Sequence, residues 1–185
     1  MGFDWKKFQK ELAQQKVYDT WQYVNSLGEM LTYMNMSCEL LDKVYTQRGI
    51  KLEEKEQEIL RKAEETGKAS VCESDLHCTD LDIAGLIIDD GFFLQKTTIE
   101  FFHYARMCSD ILFQIINAAL LGDSSFAVDD ATIINDVSNK IANYSNFITL
   151  KSLLDSNKND NLFKYIRAFD NYIKHIKTVL VTVKS

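Results

Sequence analysis

Proline is missing from all 185 residues and glycine occurs only seven times, where average usage would place about nine prolines in a chain of this length. Because proline interrupts helix interiors and marks turns, its absence predicts long helices joined by short polar loops. Long apolar runs are missing too. The longest apolar run without charges, Ile111 to Leu121, is about half of the ~20 residues a bilayer-spanning helix needs, so no membrane partner is expected. The opening MGFDWKKFQKELAQQK has no apolar segment behind its charges, unlike a secretory signal. Lys6 stands where N-myristoylation wants Ser or Thr. These absences predict a cytoplasmic protein. Histidine is scarce as well: only His77, His103 and His175 are available, which makes histidine-based sites few enough to enumerate.

What is present is ordinary for a globular chain: 46% hydrophobic and 26% charged residues, well outside the disordered range. The length fits one domain with a sizeable core, and residues 1–185 read as a single helical-bundle domain. Cys38, Cys72, Cys78 and Cys108 lie in a chain lacking an export signal, so reduced, structural thiols are expected. Charge is uneven. Residues 1–150 hold 14 basic against 24 acidic residues, a balance of −10, and residues 151–185 hold 7 against 3, a balance of +4. Broad wrapping of nucleic acid is disfavoured by the first part, while a basic patch on the last helix is compatible with the second.

Apolar residues at Trp21, Val24, Leu27, Leu31, Met34, Cys38, Leu41 and Val44 recur at three- and four-residue steps, the periodicity of a core-facing helical stripe. Gly49 reads as the end of that helix, and Lys51 to Lys68 as a peripheral helix laced with opposite charges. After a loop over Ala69 to Thr79, Asp80 or Asp82 is placed to cap a helix of about 40 residues ending at Leu121, apolar nearly all round in its second half and therefore central. Gly91 is a candidate break in it or a point of close packing against a crossing helix. Shorter helices follow over Asp129 to Tyr144 and Phe147 to Leu154, then a polar loop at Asp155 to Asn161, then a last helix from about Asp160. The expected fold is thus all-α, a bundle of five or six helices around one long apolar helix. The tail Thr178 to Ser185 alternates β-branched residues and reads as a strand pairing with another chain, as a continuation of the last helix, or as part of a longer chain.

Three constellations are able to carry chemistry. Glu100 and His103 form a Glu-x-x-His pair, the spacing of di-metal sites in helical bundles, but no second copy exists, which makes them weak metal candidates. Cys72, His77 and Cys78 gather soft ligands in the loop, off the Cys-x2-4-Cys spacing of zinc sites. No metal or other cofactor is therefore expected. Asn171 and His175 stand about 40° apart around a helix and about 6 Å apart along it, with Lys174 beside them and Arg167 two turns before His175. Arginine, lysine and histidine on one face suit phosphate: the cations hold the anion, and imidazole titrates near neutrality. The bland reading of the same residues is the polar face of a terminal helix.

The stretch Tyr165-Ile-Arg-Ala-Phe-Asp-Asn-Tyr-Ile-Lys-His-Ile-Lys177, closing a helical bundle, resembles the last helix of HEPN-type domains. Their signature is Arg, a polar residue that is often Asn, a short spacer, then His. The resemblance implies metal-independent ribonucleases acting as dimers with a composite site, or inactive relatives that bind nucleotides or proteins. Asn171 and His175 match the signature. The arginine position holds Asp170, whose charge repels phosphate, and Arg167 is the nearest substitute. The expectation is a HEPN-like module, non-catalytic or weakly active, working as a homodimer. It would engage RNA, a nucleotide or a protein partner through Arg167, Asn171 and Lys174, with His175 as the catalytic residue if activity is retained. The alternatives are a structural or protein-interaction bundle with no ligand and, after it, a metal-binding helical bundle around Glu100 and His103.

Overall fold

The computed structural model describes residues 4–14, 18–68, 80–121, 125–126 and 133–174. Among these the chain is all-α apart from one small hairpin. In order come α1 (Trp5–Gln14), α2 (Tyr18–Thr66), β1 (Leu81–Ile83), β2 (Leu86–Ile88), α3 (Asp90–Leu120), α4 (Ile133–Ile141), α5 (Ile148–Asn159) and α6 (Asn161–Tyr172), with a single 3-10 turn at Ser145–Phe147. No helix among the described residues is long and apolar enough to cross a membrane. The backbone gathers into two compact units, Met1–Met34 with Phe102–Ser185, and Asn35–Phe101.

In the first unit α3 is central because it is apolar on two opposite sides. One side places Phe113 and Ile116 in a cluster with Leu121, Val137 and Ile141 of α4 and Leu154 of α5, on which Leu150 and Phe163 also pack. The other places Ile115, Cys108 and Ile111 against Val24, Leu27 and Leu31 of α2 and Phe8 of α1. Burying a side chain of this size contributes about 1.5–3 kcal/mol, so these two seams hold the unit together. Burial pushes the Cys108 thiol above its ordinary range, which favours its protonated form.

The second unit has less apolar burial among the described residues: Val44 and Leu94 are its buried aliphatics, beside buried Ser37, Asp90 and Thr97. The hairpin pairs Leu81 with Ile88 and Ile83 with Leu86, antiparallel. Its two turn residues, Ala84 and Gly85, both have positive φ, 54° and 84°, as a tight two-residue hairpin requires. Asp82 Oδ1 accepts from the Gly85 amide at 2.7 Å.

Four element boundaries differ from the sequence expectation. Gly49 lies inside α2, which runs on to Thr66: an interior glycine costs only about 1 kcal/mol, and no proline follows to enforce a stop. The terminator is Gly67, whose φ of 68° and amide bond to the Ala63 carbonyl at 2.8 Å make an αL cap. The helix expected from Asp80 or Asp82 begins at Asp90, after the hairpin, and Asp89 is its cap, accepting from the Phe92 amide at 2.7 Å. Gly91 therefore sits in the first turn and breaks nothing. Finally, α5 continues through Asp155 to Asn159, where a loop was expected. Asp155 pairs with Lys151 one turn back and accepts from Ser138 Oγ at 3.0 Å; these two hydrogen bonds hold its carboxyl below the usual range and tie α5 to α4.

Candidate functional site

The last helix starts at a defined point. Asp160 accepts from the Leu162 and Phe163 amides at 2.8 and 3.1 Å, satisfying donors that a helix N-terminus leaves open. From there Phe163, Arg167, Asp170, Asn171 and Lys174 follow at three- and four-residue steps and share one face. On α3 a polar row interrupts the apolar surface at the same kind of spacing: His103, Arg106 and Asp110.

These rows meet. Arg167 Nη1 donates to Asp110 Oδ1 at 2.6 Å, and Arg106 Nε reaches Asp110 Oδ2 at 3.5 Å. Arg106 Nη1 donates to Asp170 Oδ2 at 2.8 Å and to Asn171 Oδ1. Lys174 Nζ lies 2.7 Å from Asp170 Oδ2, and His103 Nδ1 lies 3.0 Å from Asp170 Oδ1. Cation and carboxylate alternate along the row from Arg167 through Asp110 and Arg106 to Asp170. Beside it an aromatic group joins the same two helices: Phe102 lies 4.5 Å from Phe169 and 5.6 Å from Tyr165 between ring centroids. Such pairs add about 0.5–1.5 kcal/mol beyond their burial.

Asp170 is the centre of the arrangement and is only 4% exposed. Burial by itself raises a carboxyl, yet hydrogen bonds from Lys174 and His103, with the charges of Lys174 and Arg106, outweigh it and hold Asp170 below the usual carboxylate range. An ionised carboxylate only accepts, so the hydrogen of this pair belongs to His103 Nδ1. That leaves Nε2 as the ring's open position, able to accept when neutral and to donate when protonated.

The structure thus brings together Arg167, Asn171 and Lys174, three of the residues chosen from the sequence, and adds Arg106, Asp110, Asp170 and His103. The signal for the first two additions was available: a charged pair at i and i+4 on an otherwise apolar central helix. His175 lies outside the described residues, as do Cys72, His77, Cys78 and the tail from Thr178. Of the Glu100–His103 pair, Glu100 binds Lys96 at 2.5 Å and His103 binds Asp170. No group of three or more metal-type ligands gathers among the described residues. No protein-family model, characterised protein or solved structure matches this chain.

Proposed function

We propose that the chain is a HEPN-like helical module, cytoplasmic and homodimeric. In this reading it is non-catalytic or weakly active, and its α3–α6 face binds a phosphate-bearing ligand, an RNA or a nucleotide. The observation that carries the reading is the convergence of Arg106, Arg167 and Lys174 on one face against two aspartates, an excess of one positive charge before any imidazole is counted. The side chains of Lys174 and Arg167 are 46% and 28% exposed, so solvent and ligand reach them. Arg106 donates to Asn171, and a guanidinium therefore stands beside that asparagine even though the preceding position is an aspartate; its commitment to Asp170 explains why cleavage would be weak or lost.

The test is a titration of fluorescent single-stranded RNA and of adenosine monophosphate into the protein at two salt concentrations. Binding is expected to weaken with salt, and the Lys174→Ala protein to lower the salt slope by about one phosphate contact while keeping its helical circular dichroism. No binding by the parent protein refutes the proposal. The full pairing of the three cations supports a second reading, in which the row is a structural clasp holding α6 to α3. That reading expects the same substitution to lower stability with no ligand bound by the parent.

A further inference from the structure

We propose that His103, supplied by α3, is the imidazole of an oxyanion site on this face, and that Asp170 is its positioning residue. The inference rests on the reading of the face as a phosphate-binding surface and assigns that surface a proton-carrying group on α3. Three observations support it. The buried Asp170 carboxylate accepts from Nδ1 at 3.0 Å, which fixes both the ring's orientation and its tautomer. The His103 side chain is itself 40% exposed, so the ring is open to a small anion. Asn171 accepts from Arg106 through Oδ1, which leaves its amide Nδ2 hydrogens for another acceptor.

The charged groups around the ring favour an anion. Arg106 on α3 and Lys174, two residues past the end of α6, both bind the carboxylate that holds His103, so two cations surround one aspartate. Tyr104 lies 6.0 Å from the imidazole, and Tyr33 of α2 packs on Tyr104 at 5.4 Å. An oxyanion arriving at Nε2 favours the imidazolium form, whose Nε2–H donates to it. The ligand class is a tetrahedral dianion with oxygen acceptors, either a free ion or the monoester of a nucleotide.

Imidazole nitrogen NMR on the full chain tests this, with inorganic sulfate as a probe that keeps its charge across the pH range, and with inorganic phosphate and adenosine monophosphate as parallel arms. Before any ligand is added, the neutral His103 ring is expected to carry its hydrogen on Nδ1; an Nε2–H tautomer overturns the positioning role of Asp170. On titration, sulfate is expected to raise the ring's midpoint, and binding to strengthen by up to about tenfold per pH unit lowered between the liganded and unliganded midpoints, the linkage of one proton. His103→Gln should abolish this dependence. Tighter binding of the nucleotide than of phosphate identifies a monoester as the natural source, and equal binding a free ion; both support the site. Sulfate binding whose pH dependence survives in His103→Gln refutes the assignment while leaving the phosphate-binding face intact. Absence of binding of all three probes refutes the face and the assignment together.

Discussion

Asp170 and Asp90 are buried to nearly the same degree, 4% and 6% exposed, in different units of the chain, and their surroundings could hardly differ more. Asp170 has partners on both oxygens: an imidazole on Oδ1, and a guanidinium and an ammonium on Oδ2. Asp90 has Arg48 Nε at 3.8 Å and a buried Oδ2 with no hydrogen bond among the described residues. It stands in the first turn of α3, where a helix N-terminus favours negative charge. A buried carboxylate is therefore tolerated by two routes, direct pairing with several cations or placement at a helix start, and only the first gathers several charged and titratable side chains around the carboxylate.

The largest break in this comparison is Asp170→Ala, which leaves Arg106 and Lys174 facing each other without their carboxylate. A loss on the order of 3 kcal/mol is expected, read from the denaturant midpoint. Acid should reveal the same residue. Its carboxyl lies below the usual range in the folded state, so its contribution is complete above the unfolded value of about 3.9 and is lost as pH falls through the lower folded value. Urea unfolding between pH 2 and 7 should show this decline in the parent, flattened in Asp170→Asn. Double-mutant cycles sharpen the contrast: about 2 kcal/mol of coupling for Arg106 with Asp170, and below about 0.5 for Arg48 with Asp90. Asp90→Asn, which keeps an acceptor at the helix start, should cost about 1 kcal/mol or less. The smallest effect is expected from Ile87→Thr on the exposed hairpin, within about 0.5 kcal/mol, by thermal melting.

Helix content and the centrality of α3 were legible because both rest on local periodicity: Phe113 and Ile116 on one side, Cys108 and Ile115 on the other. Boundaries were less legible where one residue type serves two purposes. Asp82, read as a helix cap, folds back on Gly85 in a hairpin whose turn, Ala84-Gly85, lacks the usual Asn-Gly cue. Gly49 and Gly67 look alike in sequence, and only the second adopts a left-handed backbone. Asp155 looks like loop composition until Lys151 and Ser138 bind it. At the candidate site, Arg167, Asn171 and Lys174 were visible as one helical face. The role of Asp170 was not: an aspartate between Arg167 and Lys174 looks like an interruption of a basic face until α3 brings Arg106 and His103 to it, and pairing across more than 60 residues of chain leaves no local trace.

One further consequence follows from Asp160, which ends α5 and begins α6 with no spacer between them. Its carboxylate holds the first amides of α6 while its own amide closes on the Asn157 carbonyl at 3.1 Å. A joint of one residue cannot let one helix fray while the other stays intact, so α5 and α6 should open as a single cooperative segment. In native-state hydrogen exchange their amides would then share one opening free energy, and the aspartate, asparagine and lysine of the clasp would leave α3 together with Leu154 of the core, linking the availability of the site to the local stability of the helix beside it.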